Sequence, residues 1–176
     1  MSLKPPVNKN DHLLGDKEAS IEIVEYGDYQ CPYCRESHSV MVRLMKEFEG
    51  HVKFVFRNFP LKEIHRYAAI AALGAESAAI QGKFWQMHDM IYENQERLNE
   101  PFLFTLADEL QLDKKRFEAD LQSAFLDARI DADLESGIRS GVNGTPTFFI
   151  NGKKFDGDAA DVLNLLRAAL SPISEI

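Results

Sequence analysis

Val24-Glu25-Tyr26-Gly27-Asp28-Tyr29-Gln30-Cys31-Pro32-Tyr33-Cys34 is the stretch that decides the fold. It starts as the end of a strand-like run, residues 21–26, breaks at Gly27-Asp28, and enters a helix-like run. Pro32 suits a first helical turn, where a missing N–H costs nothing. Cys31 and Cys34 are the chain's two cysteines. At this spacing a disulfide closes and reopens with little backbone motion. A thiol at a helix start meets unpaired N–H groups and the positive end of the helix dipole, and both stabilise the thiolate that attacks disulfides. The pattern points to a thiol–disulfide redox pair.

Two other uses of the cysteines are weaker. A structural disulfide around so small a loop adds little stability. A zinc site needs four ligands, and there is no second cysteine pair. His38 is a candidate third ligand, while His12, His51, His65 and His88 are scattered without paired spacing.

The bulk properties narrow the class. With 176 residues, 45% of them hydrophobic and 27% charged, the chain holds one domain with a full core, or one carrying an insertion. A net charge of -8 argues against nucleic acid or an anionic membrane as the main partner. Residues 1–15 contain no apolar stretch of the export-signal kind. The longest mildly apolar run, residues 68–80, contains Gly74, Glu76 and Ser77 and is too short to span a bilayer. The expectation is a soluble cytoplasmic protein with no membrane span. A periplasmic or secreted form that has lost a leader is the alternative.

Around the redox segment the periodicities are clear. Ile21, Ile23 and Glu25 alternate with Glu22, Val24 and Tyr26, a strand pattern with both faces covered. Val40, Met41, Leu44, Met45 and Phe48 make an apolar stripe at helical spacing, which Glu49-Gly50 ends. Val52, Phe54 and Phe56 alternate with Lys53, Val55 and Arg57 in a second strand, giving a βαβ unit. Residues 61–140 read as helical throughout: Phe84, Met87, His88 and Ile91 share a face, Pro101 opens a helix, and Asp113 caps another, with Leu112 and Phe117 as its staple. Thr147-Phe148-Phe149-Ile150, Asn151-Gly152 and Lys153-Lys154-Phe155 form a hairpin with a type I′ turn. Asp158 caps a last helix, which Pro172 helps to stop.

This order, with Cys-X-X-Cys between the first strand and its helix, resembles the thioredoxin fold. The helical block resembles the insertion of the DsbA family of thiol–disulfide oxidoreductases. The motifs that carry the resemblance are the redox segment itself, Phe56-Arg57-Asn58-Phe59-Pro60-Leu61, Phe84-Trp85-Gln86-Met87-His88-Asp89, and Gly144-Thr145-Pro146-Thr147-Phe148-Phe149-Ile150-Asn151-Gly152. The expected fold class is α/β: a thioredoxin-like domain of βαβ then ββα over residues 11–60 and 141–176, with an all-helical insertion over 61–140.

The resemblance implies that Cys31 is the nucleophile and Cys34 the resolving thiol. It implies a cis bond before Pro146, packed beside the disulfide, with Pro32, Tyr33, Thr145 and Pro146 forming the substrate-binding surface. Strand parity puts Glu25 on the face of Ile21 and Ile23, and the family places a buried acid there. Glu25 is therefore the expected proton acceptor for Cys34. One departure stands out. Pro32-Tyr33 is the dipeptide of glutaredoxins, where the periplasmic oxidant that names the family has proline–histidine, so strongly oxidising behaviour does not carry over. Arg35 and His38 are expected to add positive charge or face solvent. Trp85 is assigned to the core, and His65 and His88 to surface or capping roles. Arg57 has no identified acidic partner.

The implied activity is exchange with protein or peptide thiols and disulfides, with a further redox partner to recycle the chain, and it needs no metal or organic cofactor. The alternatives are a glutathione-linked, glutaredoxin-like reductase, and a metal or iron–sulfur module that uses Cys31.

Overall fold

A computed structural model describes residues 1–170, so the proposed stop at Pro172 lies outside the described residues. At the centre is a five-stranded sheet in the order β1-β3-β2-β4-β5. β2 (Ile21–Gly27) and β3 (Val52–Asn58) run parallel, joined by α1 (Pro32–Glu47). β4 (Thr147–Ile150) pairs antiparallel with β2, and β5 (Lys153–Lys154) with β4. Asn151 and Gly152 between them have φ of 46° and 75°, the left-handed pair a type I′ turn demands. β1 (His12–Gly15) was not expected: it adds an antiparallel edge to β3.

Alternation along β2 and β3 divides the core in two. Ile23, Phe54 and Phe56 face the side covered by Met41 and Leu44 of α1, by Phe84, Met87 and Ile91 of α3 (Phe84–Glu93), and by Val162, Leu163 and Leu166 of α7 (Ala159–Leu170). Val24, Tyr26, Val55 and Phe149 face the other side, beneath Leu3, Phe59 and Val142.

Between β3 and β4 lie five helices: α2 (Ala68–Ile80), α3, α4 (Glu100–Glu109), α5 (Lys114–Asp120) and α6 (Ala124–Arg139). Residues 61–67 are turns and not helix: the Ile64 and His65 N–H groups both return to the Leu61 carbonyl, while Leu61 N–H donates to the Asp28 carboxylate and Tyr67 N–H to the Gln30 side chain. α2 is buried on nearly every side, and its Ala71, Ala72, Gly74, Ala75 and Ala78 let neighbouring helices approach closely. The capping expectations hold in detail. Asp113 accepts from Arg116 N–H at 3.0 Å and Asp158 from Asp161 N–H at 2.9 Å. α4 starts a residue before Pro101, capped by Asn99.

A polar seam ties the block to the sheet. Arg57, 2% exposed, donates to both carboxylate oxygens of Asp11 at 2.8 and 2.9 Å, which supplies its missing partner. The buried Glu76 carboxylate accepts from Arg129 Nε at 2.5 Å and Asn58 Nδ2 at 2.8 Å, with His12 Nε2 3.0 Å away. Burial pushes Glu76 upward, but His12 and Arg129 outweigh it and hold the carboxyl below its usual range.

α6 meets the sheet at Gly137, where an added Cβ would stand 2.7 Å from the Phe59 ring and 3.1 Å from Tyr26. Overpacking costs about 1–3 kcal/mol, while the better helix propensity of alanine returns up to about 1 kcal/mol. Gly137→Ala should therefore lose stability by about 1–2 kcal/mol, read as a lowered urea midpoint. A variant at least as stable as the parent would mean that α6 shifts freely on the sheet.

Candidate active site

The redox turn is built by β2 running out into Gly27-Asp28 and α1 beginning at Pro32. Gly27 has no room for a side chain: a Cβ would collide with the Phe56 ring and stand 3.1 Å from the Tyr92 hydroxyl. Cys31 caps α1 with extended backbone, φ -71° and ψ 122°. Both thiols are free, and Cys34, one helical turn further in, is fully buried.

The two thiols differ sharply in acidity. Cys31 is lowered from 9.0 to about 5. The largest cause is a hydrogen bond from the Cys34 thiol. Burial opposes it, and Thr145 and the N–H groups of Cys34 and Tyr33 add to it. The Thr145 hydroxyl forms no well-shaped hydrogen bond, and neither does the Cys31 cap, so these contributions rank below the thiol pair. A contact from Cys31 Sγ to the Thr145 carbonyl at 3.4 Å belongs to the protonated thiol, since a thiolate has nothing to donate. Cys34 moves the other way: burial first, then its hydrogen bond to Cys31 and the charges of Glu25 and Cys31, push it well above 9.0.

The Thr145–Pro146 peptide is cis. Beside it a groove of about 370 Å³ is lined by Tyr33, Thr145, Pro146, Glu36 and Asp158. Tyr33 is 68% exposed at its edge. Pro32 is exposed at the helix start but does not line this groove.

Glu25 is 3% exposed and sits on the Ile23 face of β2, as its parity requires. Its strand neighbours are Phe56 and Phe148. Burial is the main reason its carboxyl rises from 4.5 to about 8; the Ser37 hydroxyl, 3.5 Å away, pulls it down, and the charge of Cys31 pushes it up.

The histidines depart from expectation. His88 is buried in an aromatic cluster with Tyr29, Phe56, Trp85 and Tyr92, and its Nδ1 lies 3.0 Å from the Tyr29 hydroxyl. His38 is also buried, stacked on Tyr92, with Nε2 2.9 Å from Asp89. Only Arg35 of the expected pair reaches solvent, where it meets Glu96 at 2.7 Å. His65 binds the buried Asp28 carboxylate at 2.9 Å. His38 therefore faces His88 and Asp89 and not the cysteines, and among the described residues no metal-like cluster includes a thiol. Gln95 was also missed: its side-chain amide donates to the carbonyls of Tyr29 and Cys31 at 2.9 and 2.8 Å.

An asymmetric thiol pair at a helix start, beside a cis proline, on a βαβ–ββα frame interrupted by helices, defines a thioredoxin fold of the DsbA type. Residues 7–167 match the thioredoxin family model, and the chain belongs to that family. It is similar to a thioredoxin-like oxidoreductase from Silicibacter pomeroyi DSS-3, with 26% identity, a TM-score of 0.78, and coverage of 92% of this chain and 93% of that one. BdbD from Bacillus subtilis shares the fold at 24% identity and a TM-score of 0.81, over 93% and 94% of the two chains. In sequence the chain is also 39% identical, over 158 residues and 89% of its length, to the Na(+)/H(+) antiporter NhaA 1 of Salinispora arenicola (strain CNS-205). It spans only 24% of that protein's length, about a quarter. Among the described residues no helix is long and apolar enough to cross a membrane.

Two measurements check the electrostatics. Thiolate ultraviolet absorbance should titrate near pH 5 in the reduced protein and vanish in Cys31→Ser. A midpoint near the ~8.5 of a free thiol would remove the helix-start argument. For Glu25 the folded value of about 8 lies above the ordinary 4.5. The unfolded chain then releases a proton that the folded protein keeps, so stability falls as pH rises through that window and is unaffected below it. Glu25→Gln should match the wild type near pH 4 and exceed it by about 3 kcal/mol near pH 7, both reduced, in denaturant unfolding. A difference independent of pH would mean that the carboxylate is solvated.

Proposed function

We propose that the chain is a thiol–disulfide oxidoreductase that exchanges disulfides with protein or peptide substrates through Cys31 and Cys34. The observation that carries this reading is the pair of free thiols one helical turn apart at the start of α1, beside the cis Thr145–Pro146 peptide, with hydrogen bonding lowering Cys31 to about 5 and burial raising Cys34. Cys31 is the nucleophile. Its thiolate attacks a substrate disulfide, or a substrate thiolate attacks Cys31 Sγ of the oxidised pair. A mixed disulfide through Cys31 follows, and Cys34 or a substrate thiol resolves it. Glu25 takes up or returns the Cys34 proton.

The groove supports a peptide substrate. The Thr145 backbone, beside the cis bond, offers a line of contact for an extended strand, and exposed Tyr33 offers an apolar wall. A stabilised Cys31 thiolate favours the dithiol form, which supports an oxidising role even without a histidine between the cysteines. Such a role requires a redox partner that restores the disulfide.

Pro32-Tyr33 is the feature that favours a glutathione-linked reductase. Glu36 and Asp158 in the groove oppose it, since they repel the two carboxylates of glutathione.

Trapping tests the proposal. Cys34→Ser should accumulate a mixed disulfide with a cysteine-bearing peptide, seen as a reducible mass increment, and Cys31→Ser should accumulate none. Equal trapping by both variants would reverse the assignment of the nucleophile. Glutathione-coupled turnover faster than peptide exchange would replace the peptide reading with the reductase one.

A further inference from the structure

We propose that His38, backed by Asp89, is the exit through which the proton of buried Glu25 reaches solvent, by way of a water-sized cavity between them. The inference rests on the exchange reaction proposed above and assigns a positioning residue to it.

Glu25 has a delivery problem. It must discharge its proton between turnovers, yet it is almost fully buried. Phe56 and Phe148 flank it in the sheet, so no base reaches it from β3 or β4. Among the described residues its one protein hydrogen bond is the long contact from Ser37, a group that does not titrate.

The outlet lies behind it. A cavity of about 30 Å³ is bounded by Glu25, Met41, Phe54, His38, His88 and Asp89. A water needs roughly 10–15 Å³ of such space and two to four polar partners. Most of the lining is apolar, and Glu25, His38 and His88 are the buried lining residues with polar groups to offer a water. On the outer side, the Asp89 side chain is 48% exposed and holds His38 Nε2 at 2.9 Å. His38 Nδ1 makes no protein hydrogen bond among the described residues, which leaves it for the water.

The other groups facing this cavity do not replace His38. Cys34, one turn earlier on α1, is the proton's source. From α3, His88 has Nδ1 engaged by the Tyr29 hydroxyl, and burial, with the charges of His38 and His12, holds it far below its ordinary range and neutral. Tyr92, also from α3, stacks on His38, and burial raises its phenol out of the working range. Tyr29 is raised likewise by burial, with the charges of Glu76, Asp89, Glu25 and Asp133 adding to it. β1 contributes only Leu14 and β3 only Phe54. Outside, Arg35, Glu36 and Glu93 ring the surface opening beside His38.

The proton is accounted for at each step. The step starts from the ionised form of Glu25, the minor form at neutral pH because burial raises its carboxyl to about 8: Cys34 Sγ–H passes its proton to a Glu25 carboxylate oxygen. The Cys34 thiolate attacks Cys31 Sγ; the Cys34–Cys31 bond forms, the Cys31–substrate bond breaks, and the substrate sulfur leaves with the electron pair and takes a proton from bulk water. The two protein thiols are oxidised and the substrate disulfide is reduced. Glu25 then passes its proton to the cavity water, which hands one to His38. The imidazolium, hydrogen-bonded to Asp89, returns to neutral by releasing a proton to solvent. In the oxidising direction every transfer reverses.

The test is stopped-flow release of a fluorescent peptide thiol from the Cys31 mixed disulfide, at saturating peptide, across the acidic to mildly basic range. His38→Gln keeps a polar contact with Asp89 but cannot titrate. It should lower the release rate about tenfold or more near neutral pH and flatten its pH profile, with the Cys31 thiolate titration unchanged. In His38→Ala, added imidazole should restore much of the rate. Asp89→Asn, at a half-exposed position, is the second variant should His38 substitutions fail to fold, and should slow release about threefold or more. A wild-type pH profile in His38→Gln, or a uniform loss that imidazole does not restore, would overturn the relay. With the first variants unfolded, an unaltered rate in Asp89→Asn would do the same. If the wild type itself releases no peptide, the exchange reading fails and the relay with it. Release by the wild type without any variant effect removes the relay alone.

Discussion

One buried carboxylate holds the redox turn in place. Asp28 accepts from Gln30 N–H at 2.7 Å, from Leu61 N–H at 2.8 Å, and faces His65 at 2.9 Å. Its own backbone takes part as well: its N–H points at Cys34 Sγ and its carbonyl receives Cys31 N–H at 3.1 Å. The exit of β2, the start of α1 and the turns after β3 are thereby tied to one residue. A loop with its polar groups satisfied this way loses little freedom when a substrate arrives, which is the condition for a fixed sulfur position.

Around that point the chain separates its chemistry by local environment. Cys31 stands at the positive end of a helix, only 4% exposed, and Cys34 lies one turn further in, fully buried. Glu25 lies on the core face of the strand that leads to both. The hydrogen bond from Cys34 outweighs burial at Cys31 and favours its thiolate, while burial favours the protonated forms of Cys34 and Glu25. The same three residue types in water would differ in acidity in the opposite order for Glu25 and Cys31. Position in the fold, and not residue type alone, sets their order of acidity.

The features legible in the sequence are those set by nearest neighbours. The alternation of Ile21 to Tyr26, the apolar stripe of α1, the Asn151-Gly152 turn and the caps at Asp113 and Asp158 are local signals, and each element forms where its signal lies. The parity of Glu25 was legible for the same reason. What escaped was set at long range. β1 is four residues without alternation, and it exists because the edge of β3 offers hydrogen bonds. Asp11 meets Arg57 across 46 positions of chain. Residues 61–67 carry no proline or glycine, yet they form turns, with the N–H groups of Leu61 and Tyr67 taken by Asp28 and Gln30. His38 and His88 are buried because α3 packs against α1, and nothing in either helix's own pattern announces that contact.

The side chain of Gln95 gives the inserted helices a hold on the chemistry. It comes from a 3-10 turn between α3 and α4, far along the chain, and its amide straddles the carbonyls on either side of Gln30. The second of these belongs to Cys31. The block thus reaches the start of α1 directly, and loss of Gln95 would leave two carbonyls there without this donor. The register of the first turn of α1 is thereby fixed in part by a residue that neither the strand before it nor the helix itself supplies.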